Sequence, residues 1–314
     1  MKIASIDIGT NTCNLSIAEY LPEIGLKFIY KEKKVISLIN RQFKDDMVSA
    51  ESVLRLMSAL RHYMEIIEGL KVDKTIAIAT SGIRSAVNKD NIINAIEDIL
   101  GIKVSVITGH NEAQFVYEGV KNAVNLGKDH VLIIDIGGGS LEFVICNEEG
   151  ILCTYSFDIG SARLLYKQNF SDPLSEEDII NLNTILKKEL HPLLEKSKEV
   201  KVKTLIGSSG SFETFVDLIN YKIIFKKIDN LHTFAEMDIN EFEEIYSQLI
   251  NFNHKKRIKM PGMDIMRVKM IPVAAVMTKF LIDSLGIERL IQSKYSIKEG
   301  VIFDYINKNF EFQK

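Results

Sequence analysis

Short apolar runs broken by polar turns, at Ile3–Ile8, Asn14–Ala18 and Lys27–Lys34, predict a strand-rich opening. From about Ser49 to Leu70 the period changes. Val53, Leu56, Met57, Leu60 and Met64 recur at steps of three and four, which gathers one apolar stripe on a helix. A buried-type strand at Thr75–Ala79 follows, then a helix over Asn91–Leu100, a strand over Lys103–Ile107 and a helix over Glu112–Asn125. Strands first and then alternating strand and helix is the order of an α/β lobe.

Past the polar connection Leu126-Gly127-Lys128 the pattern starts again. Val131–Ile134, Leu141–Cys146 and Ile151–Phe157 predict a meander that ends in the turn Asp158-Ile159-Gly160-Ser161. Ser175, followed by Glu176, Glu177 and Asp178, caps a helix running toward Lys198, which Pro192 is expected to bend or divide. Thr204–Ile206 reads as a strand, helices dominate beyond about Asn240, and Lys298–Asn309 reads as the closing helix.

The second start copies the first. Ile6-Asp7-Ile8-Gly9-Thr10-Asn11-Thr12-Cys13-Asn14 aligns without a gap on Ile134-Asp135-Ile136-Gly137-Gly138-Gly139-Ser140-Leu141-Glu142, 128 positions later. Each copy is a strand ending in Asp, a glycine turn and a second strand. One such turn is ordinary hairpin chemistry. Two in register imply two backbone cradles, able to hold phosphate oxygens on N–H groups, on the two halves of one chain.

Composition adds bounds. Apolar residues make up 46% and charged residues 26% of the 314, with a net charge of −3, a globular balance with no basic field for nucleic acid. The first strand begins at Lys2-Ile3, leaving no room for a leader, and the longest apolar stretches are too short to span a bilayer. A cytoplasmic protein without membrane partners is expected. Cys13, Cys146 and Cys153 lie in or near strands with no ligand spacing and read as buried small hydrophobes.

Several loops carry candidate chemistry. Thr10 and Asn11 in the first turn offer side-chain and backbone donors, while Gly137, Gly138, Gly139 and Ser140 form a barer cradle. Gly207, Ser208, Ser209 and Gly210, between a strand and a helix, are either a third cradle or a plain strand-to-helix loop. Asp135 and Glu142 meet beside the turn and suit a hard cation such as Mg²⁺, whereas the other copy offers Asp7 and Asn14. Arg84 is placed to grip phosphate or to make a surface ion pair, and Glu112 by itself reads as a first-turn helix stabiliser. His110 reads as a loop residue, and the basic run His254–Lys259 as solvated surface or an approach for a polyanion.

The set of loops resembles the exopolyphosphatase/guanosine pentaphosphate phosphatase (Ppx/GppA) family of the actin, sugar-kinase and heat-shock-protein ATPase superfamily. The resemblance rests on Asp7–Thr12, Ala79-Thr80 with Arg84, Gly109 with Glu112-Ala113, Asp135–Glu142, and Gly160-Ser161 with Arg163-Leu164. It continues through Gly207–Gly210, Pro261-Gly262 with Arg267, and Glu299-Gly300. It implies an α/β, duplicated ribonuclease H-like, actin-like two-lobe fold with a central cleft. The lobes would be 1–125 and 126–296, hinged near Leu126 and Tyr295, with a last helix over 297–314 packing back on the first lobe.

It implies further that Glu112 is the catalytic base, that Arg84 contacts the cleaved phosphate, and that Asp135 and Glu142 position Mg²⁺ and water. The expected activity is a hydrolase releasing the terminal phosphate of inorganic polyphosphate or guanosine pentaphosphate. An ATP-dependent phosphotransferase or ATPase of the same superfamily, or a feebly active sensor of such ligands, is the alternative. A homodimer is also implied. The chain departs from the family pattern at Asn111, Lys269 and Lys298, where Glu, Asp and Arg are usual. It lacks the added C-terminal helical domain of long members, which predicts a shorter grip and a preference for short polyphosphates or nucleotide tetra- and pentaphosphates.

Overall fold

The computed structural model describes residues 1–21, 25–40, 46–222 and 232–309. Its first half contains β1 (Lys2–Ile8), β2 (Thr12–Leu21), β3 (Gly25–Val35), α1 (Ala50–Gly69), β4 (Lys74–Ala79), α2 (Ser81–Arg84), α3 (Lys89–Leu100), β5 (Val104–Val106) and α4 (Gly109–Lys121). The second half opens with β6 (Val131–Ile136), β7 (Leu141–Asn147), β8 (Gly150–Phe157), α5 (Ser161–Gln168), α6 (Glu176–Glu189), α7 (His191–Glu199), β9 (Thr204–Ser208) and α8 (Ser209–Lys222). It closes with β10 (Phe234–Met237), α9 (Ile239–Asn251), α10 (His254–Arg257), α11 (Ile271–Leu285), β11 (Arg289–Ser293) and α12 (Ile297–Asn309).

The duplication seen in sequence is a duplication in space. One sheet runs β3-β2-β1-β4-β5 and the other β8-β7-β6-β9-β11, with β10 added at the far edge. In each, an antiparallel hairpin pair leads into parallel strands. Asp7 pairs with Asn14 as Asp135 pairs with Glu142. This is the expected duplicated ribonuclease H-like, two-lobe architecture.

Most sequence-predicted elements are present, and the departures have physical causes. The buried face of α1 is Ser52, Leu56, Ala59, Leu60, Tyr63 and Ile67, turned from the apolar stripe so that Val53, Met57 and Met64 lie at its margin. Tyr63 is admitted to the core because its hydroxyl donates to the Cys13 carbonyl at 2.8 Å. The helix begun by Ser175 has a reciprocal capping box with Asp178 and divides before Pro192, where Leu190 ends α6 and leads into α7. β11 is the clearest miss. It lies in a stretch read as helical, and a five-residue strand with parallel and antiparallel neighbours, mostly buried, shows no alternation of apolar and polar positions.

Helices α4 and α12 fill the space between the sheets. Val116, Val120 and Val301 pack together with Ile78 of the first sheet and Ile133, Val144, Ile206 and Ile291 of the second, one apolar floor under both. The approach of α12 to α4 is close because two glycines face it. A Cβ on Gly300 would press on the Phe115 carbonyl, and one on Gly119 on the Ser296 carbonyl. Further along, Ile302 and Ile306 pack on Ile3 and Ala18. Residues 310–314, included in the expected last helix, lie outside the described residues. No helix among the described residues is long and apolar enough to cross a membrane.

Candidate active site

The two turns that repeat in sequence face each other and form one cleft of about 290 Å³. Each closes in the same way, Gly9 N donating to Thr12 O at 3.0 Å and Gly137 N to Ser140 O at 3.1 Å. A Cβ at either glycine would lie 2.9 Å from that same carbonyl, so neither position admits a side chain. The turns also touch one another, since a Cβ at Gly138 would lie 3.2 Å from the Thr10 Cβ and one at Gly139 would meet Thr10 Oγ1 and Ser81 Oγ. Thr10, Asn11, Gly137, Gly138, Gly139 and Ser140 all line the cleft, as do Ser209 and Gly210. Gly207 does not line it, for it lies in β9 against the Phe212 ring, and Ser208 is buried beneath it.

Strand β9 passes into α8 through Ser209, which holds a left-handed φ of 66°. That turn sets the Ser209 hydroxyl toward Asp135. Burial raises the Asp135 carboxyl above its ordinary value, and the hydroxyls of Ser209 and Ser208 with the charges of Lys298 and Arg267 oppose the rise. Asp7, its counterpart in the other lobe, accepts from Asn14 Nδ2 at 2.9 Å through Oδ2, while its buried Oδ1 has no partner. Burial pushes Asp7 up to about 6. Glu142 takes a hydrogen bond from Ser156 Oγ at 2.9 Å and is held well above the usual carboxylate range by burial and by facing Glu112.

Glu112 enters the cleft from α4. The helix is capped by Thr108, whose Oγ1 accepts from Asn111 N at 3.2 Å, so Glu112 is not needed at the helix end and turns inward. Its Oε2 accepts from Arg84 Nη1 at 2.8 Å, and the same nitrogen donates to Ile107 O at 3.1 Å. Burial pushes the Glu112 carboxyl up to about 8 against the lowering pull of Arg84. Arg84 itself stands behind Glu112 and is not part of the cleft wall. A carboxyl in this environment takes up and releases a proton near neutral pH, which suits a general base.

Three cations complete the site. Lys298, at the start of α12, lines the cleft and donates to Ser296 Oγ at 2.9 Å. Burial pulls its pKa down, but Glu299, Glu213, Asp7 and Asp135 outweigh burial and leave it raised. Glu299 is committed to structure, accepting from Ser296 N at 2.9 Å and pairing with Lys31 at 2.7 Å. The Arg267 guanidinium covers Gly210, where any side chain would collide with it. Arg163 joins the lobes, donating from Nε to Gly139 O and from Nη2 to Ser85 Oγ, each at 2.9 Å.

From the sequence, Asp7 reads with Asn14 as the recognition end opposite the metal end at Asp135 and Glu142, while Lys298, Arg267 and Arg163 enter only as points of likeness or departure. The repeat offset was the available signal for Asp7. Nothing local marks the other three. The basic run divides: Arg257 is buried and bound to Asp172 Oδ1 at 2.7 Å, while Lys255 and Lys256 are exposed. His110 is exposed and bonds Thr154 Oγ1 at 2.7 Å across the lobes.

The sequence profile of the Ppx/GppA phosphatase family matches residues 16–309. The chain is 32% identical over 313 residues to the bifunctional 3-dehydroquinate synthase/phosphatase of Fusobacterium nucleatum, covering 96% of itself but only 46% of that protein. It is 26% identical to exopolyphosphatase 2 of Mycobacterium tuberculosis, covering 96% of itself and 97% of the relative. The crystal structure of an exopolyphosphatase from Cytophaga hutchinsonii superposes with a TM-score of 0.95 at 29% identity over 98% of both chains. An Aquifex aeolicus Ppx/GppA protein shares the fold, with a TM-score of 0.81, 24% identity and 99% coverage of both chains.

Proposed function

Because the chain belongs to the Ppx/GppA phosphatase family, we propose that it is a phosphoanhydride hydrolase that releases the terminal phosphate of inorganic polyphosphate or of guanosine pentaphosphate. The names of its relatives, exopolyphosphatase and guanosine-5'-triphosphate,3'-diphosphate pyrophosphatase, support that substrate class. The observation that carries the reading is Glu112, a buried carboxyl on the cleft wall, raised to about 8 and fixed by Arg84, opposite two glycine cradles.

The lobes, taken as 1–125 and 126–296, close on the terminal phosphate. Backbone N–H groups of Thr10, Asn11 and Gly138–Ser140 hold its oxygens, with Ser209 and Gly210 at the far side. Lys298 and Arg267 offset its charge. Glu112 takes a proton from a water aligned against the phosphorus, and Arg84 orients Glu112 for that transfer. Such a reaction is mostly positioning and charge stabilisation, which backbone donors and a few fixed charges supply.

Mg²⁺ fits the donor set. No group of three or more His, Cys, Asp or Glu side chains among the described residues encloses a metal. The ion is usually held by one or two carboxylates and completed by water and phosphate oxygens. Asp135 and Glu142, with the unpartnered Oδ1 of Asp7, would hold it. Bound there, it would supply further charge stabilisation to the phosphate.

The test is phosphate release from short polyphosphate, long polyphosphate and guanosine pentaphosphate with Mg²⁺, wild type beside Glu112→Gln. Release from at least one substrate, reduced roughly 10²–10⁴-fold in the variant, is expected for loss of a general base. Full activity in a normally folded Glu112→Gln protein would remove Glu112 from the mechanism.

A further inference from the structure

Asp264 and Arg267 lie in the second lobe between α10 and α11, in a turn that is fixed locally. Arg267 N donates to Asp264 O, and Met266 N to Asp264 Oδ1, each at 2.9 Å. The turn also reaches the first lobe. Lys33, on the edge strand β3, donates to Asp264 Oδ2 at 2.7 Å, and Asn11 Nδ2 donates to Met266 O at 3.5 Å. Lys33, Asn11 and Arg267 all line the cleft.

Asp264 Oδ2 therefore stands between two cations and bonds one of them. Arg267 Nε is 3.6 Å from it, beyond hydrogen-bond distance, and this buried nitrogen has no hydrogen-bond partner among the described residues. A buried donor in that state is costly until something accepts from it. The carboxylate oxygen beside it is held by a lysine of the other lobe. Side-chain exposure falls from 40% at Lys33 to 19% at Asp264 and 17% at Arg267, so the lysine is the member that water takes back when the lobes part.

We propose that Lys33 and Asp264 are positioning residues that act through Arg267 and leave its charge to the substrate only while the lobes are together. With Lys33 on Asp264, the guanidinium is free to meet phosphate. Once Lys33 withdraws, Asp264 Oδ2 has only to come about 0.7 Å nearer to Nε to reach the usual ~2.9 Å of an N–H···O bond. The new pair then mutes the cation. The inference rests on the hydrolase reading for the phosphate in the cleft and deepens it, because it ties the grip on that phosphate to a contact between the lobes.

The experiment is a double-mutant cycle read by equilibrium dialysis of inorganic tripolyphosphate with Mg²⁺, the intact anion being quantified. The parent is Glu112→Gln, and Lys33→Ala, Asp264→Asn and the pair are added to it. Lys33→Ala is expected to weaken binding roughly tenfold, the scale of one hydrogen bond to a charged group. Asp264→Asn alone should change it by less than roughly twofold, yet restore most of the loss in the Lys33→Ala background. In an Arg267→Gln background, Lys33→Ala should cost less than roughly twofold. Equal gains from Asp264→Asn with and without Lys33 overturn the proposal, since Lys33 would then be one more cation beside the substrate. Undiminished binding in Lys33→Ala overturns it, as does a parent that binds no tripolyphosphate. A paired variant no better than Lys33→Ala overturns it too, leaving a plain structural tie. Phosphate release by the Glu112-containing protein is scored separately. No release from any substrate beside a coupled cycle would end the hydrolase reading and keep this inference, and release beside an additive cycle would do the reverse.

Discussion

Replacing Gly300 by Ala sets two effects of opposite sign against each other. In the interior of α12 the change should stabilise the helix by up to about 1 kcal/mol, since Gly is the poorest helix former after Pro. The added Cβ, however, would lie 2.7 Å from the Phe115 carbonyl carbon and 2.9 Å from Gly119 N, and closer still to the Phe115 oxygen. All three are backbone atoms of α4 and cannot rotate away, so the two helices must separate. Overpacking of this kind typically costs about 1–3 kcal/mol, and a backbone-on-backbone clash belongs at the upper end. The net expectation is destabilisation of about 1–2 kcal/mol, read as a fall in Tm of several degrees at about 2–4 °C per kcal/mol.

Gly69→Ala is the control, because nothing lies within 4 Å of a Cβ there and the backbone is helical. It should raise Tm slightly, by the equivalent of about 0.4–1 kcal/mol. Calorimetry of both variants, with phosphate release measured alongside, tests the reasoning. Gly300→Ala should also lose activity beyond its loss of stability, since Lys298 lies two residues away on the displaced helix. If Gly300→Ala melts at or above wild type while Gly69→Ala behaves as expected, the α4–α12 approach does not limit this fold.

In metal-free buffer, Glu112 should make the fold less stable as pH rises. Its carboxyl sits at about 8 against an ordinary 4.5, so the folded state keeps a proton that the unfolded state gives up. The contribution is whole below about pH 4.5 and is lost on the way to pH 8. Tm should therefore fall more over that window in wild type than in Glu112→Gln, and parallel profiles would count against the assignment. Asp7→Asn removes the unpartnered buried oxygen's charge while keeping its shape. It should raise the Mg²⁺ concentration for half-maximal phosphate release by at least roughly tenfold, and an unaltered metal requirement would exclude Asp7 as a ligand. Arg163→Lys cannot reach Gly139 O and Ser85 Oγ together, as the planar guanidinium does at 2.9 Å to each. Urea titration should show a loss of about 1–3 kcal/mol, and no loss would mean that the inter-lobe bonds are not formed in solution.

The duplication was legible because it is a local pattern written twice. A strand, an Asp, a tight turn opened by glycine and a return strand need only neighbouring residues to be specified, so the copies at Asp7 and Asp135 announce themselves and their pairing with Asn14 and Glu142. Ser175 and Pro192 likewise mark helix ends through contacts a few residues long. The two lobes and the paired glycine turns follow from such signals.

What tertiary structure alone decided are the pairings between distant segments. Glu112 reads locally as a helix-end acid, and it becomes a candidate base only because Thr108 takes the capping role and Arg84, 28 residues away, fixes it inside the cleft. Lys298, Arg267 and Arg163 belong to helices and loops whose own periodicity says nothing of the cleft: packing of α12 on α4 brings Lys298 to its wall, Arg267 reaches it over Gly210, and Arg163 is bound to the glycine turn at Gly139. The strand β11 escaped notice for the related reason that a short strand buried between neighbours carries no alternation. Periodicity records which face of an element is buried. It holds no record of the partner across the interface, because burial against any apolar surface satisfies the same pattern.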